Sequence, residues 1–343
     1  MIATLNTVRK LVPMMKLGNI NRMITSMTST KITPDQNSFS SHTDNTHRFY
    51  NPLSEAISCH NPHKYTGGIK AAILDWSGTT ADAHVIAPAR VFYDVFAKHG
   101  VPISMKEARE PMGLRKDLHI KKILFSQAVK KRWIRIKGTE PTPEDSYALF
   151  QDFVPMQIEC LPEYTDLLPG TVEAVNEIKK MGITIGSTTG FTREMVDVLL
   201  AAAQEQGFEP DITVAGDEVE NDMGFRPAPF MVYKNLVQMG IYPIQSVVKV
   251  DDTVTGVGEG LNAGCWAVGV ANYSNYTDVD TMDQWNSMSE EEQNERMQNS
   301  RNILEKAHPH YVADDIRQLP EIIRDINRRM ARGEVPQGHY QVK

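Results

Sequence analysis

Cysteine is scarce in this chain: Cys59, Cys160 and Cys265 are the three thiols among 343 residues, far apart and with no C-x-x-C pair. That spacing argues against a zinc site or a disulfide framework and implies a reducing compartment. Each thiol reads as a small core or surface residue. Long apolar runs are missing too. Hydrophobic residues make up 41% of the chain, yet none of its stretches approaches the roughly eighteen uninterrupted apolar residues of a membrane-spanning helix. Beyond the first residues there is no basic block, and a net charge of -7 spread along the chain disfavours a nucleic-acid surface. An anionic substrate would have to be met by a few placed cations. Acidic residues, in turn, are absent between Met1 and Pro34, where Arg9, Lys10, Lys16, Arg22 and Lys31 stand among Ser, Thr and spaced Leu, Ile and Met. That is the composition of a transit peptide. The stretch up to about Tyr65 is rich in Asn, Ser, His and Thr and has nothing to build a core from. Residues 1–66 are therefore expected to be an N-terminal extension, transit peptide plus linker. The mitochondrion is the first choice of compartment, with plastid or cytosol as alternatives, and an extension carrying no address is the competing reading.

From Gly67 onward short apolar runs alternate with amphipathic stretches, the rhythm of a parallel sheet covered by helices. Strands are predicted at Ala71–Leu74, Ile183–Ser187, Ile212–Val214, Val247–Val250 and Trp266–Val270. Helices are predicted at Thr171–Lys180, Arg193–Gln206, Phe230–Met239 and Val257–Ala263, the last closed by Gly264. The expected fold class is α/β with a doubly wound parallel-sheet core. The region Ala87–Tyr164 breaks the rhythm: Ala89–His99, Lys106–Arg109, Lys116–Val129 and Asp145–Ile158 are helical by periodicity, with no convincing strand between them. Residues 86–165 are read as a helical cap domain inserted after the first strand, so that 67–85 and 166–343 form the catalytic core. Two closing helices are predicted at Glu290–His308, with Ser289 as N-cap, and at Asp315–Ala331.

Four short motifs sit where such a fold gathers its chemistry, three of them at the carboxyl ends of predicted strands. The first strand ends in Asp75-Trp76-Ser77-Gly78-Thr79-Thr80; alone, that Asp is as readily a turn former. Ser187-Thr188-Thr189-Gly190 offers hydroxyls and amides to phosphate oxygens, although such residues often satisfy only local backbone. Arg226-Pro227-Ala228-Pro229 fixes a cation beside a rigid turn, where an isolated Arg would otherwise be a surface charge. Asp251-Asp252-Thr253 pairs carboxylates that are costly to hold together unless a cation such as magnesium neutralises them.

The order Asp, Thr, Arg, Asp-Asp resembles the haloacid dehalogenase superfamily, whose members use a strand-end Asp as nucleophile, and the resemblance runs from about Ile69 to the last helix. Phosphatases and mutases of that superfamily carry a second Asp two residues on, as general acid for an alkoxide; here that position is Ser77. The sequence looks like the branch that lacks this acid, the phosphonoacetaldehyde hydrolases, in Ala87-Pro88, in Glu107-Ala108-Arg109-Glu110-Pro111-Met112-Gly113 leading to Lys116 and His119, and in Ile185–Gly190, Arg226-Pro227, Lys249–Thr253 and Asn262–Trp266.

This resemblance implies hydrolysis of the P–C bond of phosphonoacetaldehyde to acetaldehyde and phosphate, within 2-aminoethylphosphonate degradation. A carbanion is a far poorer leaving group than an alkoxide, so an electron sink is needed. An imine between Lys116 and the aldehyde supplies one and removes the need for an acid at position 77. Imine formation needs a neutral amine, so Lys116 is expected to have a lowered pKa. His119, one helical turn on, would assist proton movements; its plain reading is a capping or core histidine. By the same resemblance Asp75 attacks phosphorus and an aspartyl-phosphate forms. Mg2+ is held by Asp75, Asp252 and the backbone carbonyl of Ser77, with Asp251 behind them. Thr189 and Arg226 bind phosphonyl oxygens, Met112 and Gly113 line the aldehyde pocket, and two chains pair through their caps as a homodimer.

Three departures from the family pattern stand out: Phe191 where some members have Tyr, Gly256 where some have a further Asp, and a slightly longer stretch from Thr189 to Arg226. The first alternative is a magnesium-dependent phosphatase or sugar phosphomutase of the same superfamily, which Ser77 opposes. The second is a catalytically silent binding protein on the same fold, which would have lost Asp75, Lys116 or Asp252, and has lost none. A carbon dehalogenase would not need Asp251-Asp252.

Overall fold

The computed structural model describes residues 65, 67–219 and 224–336; the expected extension lies, except for Tyr65, outside them. Strands β1 (Ala71–Leu74), β2 (Thr184–Thr188), β3 (Ile212–Val214), β4 (Val247–Asp251), β5 (Trp266–Val270) and β6 (Tyr311–Ala313) form one parallel sheet in the order β3-β2-β1-β4-β5-β6. β1, β4 and β5 are buried along their whole length, as apolar runs covered by helices on both faces must be. The strand order turns around between β1 and β4. In such sheets the crevice at the carboxyl ends beside that switch point is where ligands bind.

Between β1 and β2 the chain makes α1 (Ile86–Lys98), α2 (Met105–Arg109), α3 (Lys116–Leu124), α4 (Gln127–Lys137) and α5 (Pro143–Cys160), the helical cap, and returns through α6 (Thr171–Lys180). Local sequence sets the starts of α2 and α5: Ser104 with Glu107, and Thr142 with Asp145 behind Pro143, form reciprocal capping boxes. Phe92 of α1 stacks on Phe153 of α5 at 4.5 Å and on His119 of α3 at 3.8 Å, so these aromatic rings hold the cap helices together. The crossing from core to cap is strained. Asp82, His84 and Val85 all have left-handed backbones, with φ of 50°, 64° and 55°, a region a β-branched residue such as Val rarely enters.

The remaining helices are α7 (Arg193–Glu205), α8 (Phe230–Met239), α9 (Val254–Ala263), α10 (Met282–Ser287), α11 (Glu290–Glu305) and α12 (Leu319–Ala331). Four expectations need correction. The predicted Lys116–Val129 helix is two helices, because the chain leaves the helix at Phe125 and Ser126 is extended. β6 and α10 were not expected, the former being three half-exposed to buried residues at the sheet edge. The last helix begins at Leu319 rather than Asp315, whose carboxylate instead caps the short turn before it by accepting from Arg317 N. α9 begins at Val254, with Thr253 as its N-cap, and not at Val257.

Candidate active site

Asp75 is the first residue beyond β1, its N–H bonded to Val250 O of β4 at 3.0 Å. The turn that follows folds back tightly: Gly78 has φ +78°, and a Cβ placed there would lie 2.6 Å from Asp252 Oδ2. Only glycine lets the turn after Asp75 and the end of β4 approach this closely. Asp251 ends β4 and Asp252 follows it, and Asp75, Asp251 and Asp252 each bring an oxygen within 4.8 Å of the others.

Arg226 lies among these carboxylates. It donates from Nη2 to Asp75 Oδ1 and Thr188 Oγ1, each at 2.7 Å, and from Nε to Glu259 Oε2 at 3.0 Å, while Nη1 stands 3.3 Å from Asp251 Oδ2. Lys249, fully buried in β4, reaches Asp251 Oδ2 at 2.7 Å and Glu259 at 3.8 Å. Burial alone would raise Asp251, but Arg226 and Lys249 hold its carboxyl below the usual range. Burial and the Asp251 charge raise Asp75 despite Arg226. Asp252 is raised furthest, by burial and then by Asp251 and Asp75. Among the described residues it has no ion-pair partner, and its Oδ2 accepts only the Asn275 N–H, at 2.9 Å. Four buried carboxylates, Asp75, Asp251, Asp252 and Glu259, thus share two directly paired cations, Arg226 and Lys249. The carboxylates left in excess would be offset by a metal cation, and all-oxygen ligation suits magnesium. Asp75, Asp252 and the adjacent Ser77 backbone therefore fit such an ion, while Asp251 is committed to Lys249 and Thr253. Gly256 follows from the same packing, since a side chain there would collide with the Asp251 carboxylate.

The cap supplies the other wall. Gly113, with φ +91°, fits so closely against Thr253 and Thr255 that a Cβ would meet Thr253 Oγ1 at 2.8 Å. The cavity is lined by Asp75, Ser77, Met112, Gly113, Lys116, Thr189, Phe191, Arg226 and Asp252, together with Val85, Leu114, Gly190 and Thr253, and measures ≈ 20 Å³, room for about one water. It unites eight of the sequence-predicted positions with the departure Phe191; two predicted residues, His119 and Asp251, do not line it. Lys116 opens α3, its Nζ 4.5 Å from the Phe191 ring centroid and 5.7 Å from that of Phe92. Burial, with a smaller contribution from Arg226, pushes its amine down to about 8 against the pull of Asp75, Asp82 and Asp252. The positive end of the α3 dipole acts in the same direction. His119 is fully buried. Its Nε2 donates to Ala108 O at 2.8 Å, which leaves Nδ1 as the bare nitrogen, with no partner. Burial and then Lys116 hold it well below the ordinary histidine range, so it is neutral.

Comparison with known proteins agrees with this arrangement. The haloacid dehalogenase-like hydrolase family matches residues 69–264. The phosphonoacetaldehyde hydrolase of Syntrophobacter fumaroxidans is 36% identical over 272 residues, 79% of this chain and 97% of that protein. The chain belongs to the phosphonoacetaldehyde hydrolase family of haloacid dehalogenase-like hydrolases. A further family relative, the bifunctional phosphonoacetaldehyde hydrolase/aminoethylphosphonate transaminase of Clostridioides difficile, is 37% identical over 277 residues, 80% of this chain and 43% of that protein. A solved structure described as a phosphonoacetaldehyde hydrolase-like protein from Oleispira antarctica superposes with a TM-score of 0.75 at 37% identity, covering 79% of this chain and 97% of that one.

Within this hydrolase, sequence reasoning gave no role to Lys249, Glu259 or Arg109, and offered the Thr188 hydroxyl only to phosphate oxygens, whereas here it accepts from Arg226 Nη2. Lys249 did leave a signal, a lysine inside the apolar run Val247–Val250, which calls for a buried counter-charge.

Proposed function

We propose that the protein hydrolyses the P–C bond of phosphonoacetaldehyde, giving acetaldehyde and phosphate, in a magnesium-dependent reaction within 2-aminoethylphosphonate degradation. The observation that carries this reading is the meeting of a buried, pKa-lowered lysine and a strand-end Asp in one cavity, where position 77 offers a serine and no acid. The names of the relatives support the substrate. The transaminase fused to the Clostridioides difficile relative supports the pathway, because its aminoethylphosphonate substrate would yield the aldehyde.

In the proposed sequence the neutral Lys116 amine adds to the aldehyde, one proton is taken up from solvent, and water leaves, forming a protonated imine. His119, one helical turn from Lys116, stays neutral and keeps Nδ1 without a partner, so it could accept a proton in transit. Asp75 attacks phosphorus, the P–C bond breaks, and its electron pair passes into the imine to give an enamine. Arg226 and Thr189 hold the phosphonyl oxygens. Bound magnesium would neutralise the oxygens of Asp75 and of the phosphonyl group. The enamine is protonated at carbon and hydrolysed to acetaldehyde, freeing Lys116, and water releases phosphate from the aspartyl-phosphate.

The test is borohydride trapping. With phosphonoacetaldehyde, magnesium and reductant, a mass increase on the Lys116 peptide with irreversible loss of activity is expected, and Lys116→Arg should abolish both. An unmodified Lys116 beside robust magnesium-dependent release of phosphate from ordinary esters would put a phosphatase in place of this reading.

The same reading includes a homodimer formed through the cap, where Tyr93, Phe125, Ile134, Ile136 and Tyr147 are exposed, and import into the mitochondrion directed by residues 1–66. Sedimentation of the wild type and of a variant carrying charged residues at these cap positions tests the first. A fluorescent fusion of residues 1–66 tests the second, and a diffuse cytosolic signal would end it.

A further inference from the structure

Arg109 ends α2 in the cap and does not line the cavity, yet it is 4% exposed and every nitrogen of its guanidinium is engaged. Nη1 donates to His84 O at 2.8 Å and to Asn275 Oδ1 at 3.2 Å, Nε donates to Asp280 Oδ1 at 3.1 Å, and Nη2 donates to Val279 O. Three pieces of the molecule meet on this side chain. His84 belongs to the strained crossing from core to cap. Asn275, Val279 and Asp280 belong to the segment that follows β5. That segment also holds Asp252: Asn275 N donates to Asp252 Oδ2 at 2.9 Å and Ser274 Oγ to Asp252 O at 2.8 Å. Asn275 completes the link in the other direction, its Nδ2 donating to Arg109 O at 3.3 Å.

We propose that Arg109 is a positioning residue that links closure of the helical cap to the seating of Asp252, acting through Asn275. A planar, five-donor guanidinium can span a crossing carbonyl, a side-chain amide and a carboxylate at once, which an ammonium cannot do. Swinging the cap away would strip this buried charge of all its partners and free the Asn275 side chain, whose own backbone N–H is the single hydrogen bond fixing Asp252 Oδ2. Linkage then requires reciprocity: if closure seats Asp252 better for a divalent ion, the ion favours closure by the same factor. Partners behind a metal ligand commonly change metal affinity 10–100-fold when removed. The inference rests on the reading of Asp252 as a magnesium ligand.

The experiment uses the full chain as wild type, Arg109→Lys and Asn275→Ala, the last removing no charge. Mg2+ binding is measured by calorimetry without substrate, and amide hydrogen exchange is followed over 82–86 and 105–118 with and without Mg2+. Expected for the wild type is slower exchange in both segments when Mg2+ binds. Expected for each variant is about tenfold weaker Mg2+ binding with that slowing lost. Should Arg109→Lys fail to fold, Asn275→Ala, which leaves the guanidinium in place, decides alone. Wild-type Mg2+ affinity in folded variants whose cap exchanges faster would make Arg109 a latch of the cap only and overturn the link. A wild type that takes up no Mg2+ would overturn the metal reading itself, a result distinct from the failure of the link.

Discussion

The Lys116 side-chain nitrogen stands 4.5 Å from the centre of the Phe191 ring, on a buried side chain. The ring face attracts a cation, by about 0.5–2 kcal/mol. Lowering the amine from 10.5 to about 8 corresponds to roughly 3 kcal/mol in the opposite direction. Loss of water therefore outweighs the ring's attraction, and Phe191 acts on Lys116 chiefly by excluding solvent.

Phe191→Ser should admit water and raise the Lys116 pKa, shrinking the neutral fraction at pH 7. In the wild type the rate of imine trapping should climb with pH and level off above about 8. Mg2+ should shift that midpoint lower, since it would screen Asp75 and Asp252, which hold the amine up. Trapping rates between pH 6 and 10 read all three; a serine variant with an unmoved midpoint would separate Phe191 from the lysine's activation.

Asp252→Asn removes a buried carboxylate that has carboxylate neighbours and no paired cation. Without metal the variant should melt at or above the wild-type temperature. The wild type should gain about 2.7 kcal/mol at a hundredfold excess of Mg2+ over its dissociation constant, and the variant should gain nothing. Thermal melts in EDTA and in Mg2+ give both numbers, and a lower melting temperature in EDTA would refute the account of repulsion.

Glu259 is fully buried and donor-paired through Arg226 and, at longer range, Lys249. Glu259→Ala leaves those cations short of one partner and should cost about 3–5 kcal/mol of stability. Glu259→Gln keeps an acceptor for Arg226 Nε and should recover most of the fold. If Glu259 also sets the Arg226 fork, the glutamine variant should show a raised KM for the phosphonate with a smaller change in kcat. An equal fall in kcat and kcat/KM, with KM unchanged, would assign Glu259 to the transition state instead.

Much of the fold was legible because burial on both faces of a parallel sheet writes itself as short apolar runs; Ala71–Leu74, Ile212–Val214 and Trp266–Val270 stand as expected. β6 was not legible, since three residues at a half-exposed edge carry too little pattern. The break at Phe125-Ser126 was hidden because apolar spacing continues across it. Asp75, Lys116 and Asp252 were readable as motif residues, each next to its own turn. Glu259 and Arg109 were not, because their partners lie 33 and 166 residues away and the local sequence around each is that of an ordinary helix.

A chamber of ≈ 20 Å³ has consequences for the tempo of the reaction. An aldehyde carrying a phosphonyl group is larger than the water-sized space beside Lys116, so seating it calls for movement of the 112–116 segment, whose Gly113 lies against Thr253 and Thr255. A displacement of that segment in each cycle would move solvent, so friction with the medium would become part of the clock. Added sucrose or glycerol should slow turnover in proportion to relative viscosity if that displacement is the slowest event, and leave single-turnover imine formation on preloaded enzyme untouched.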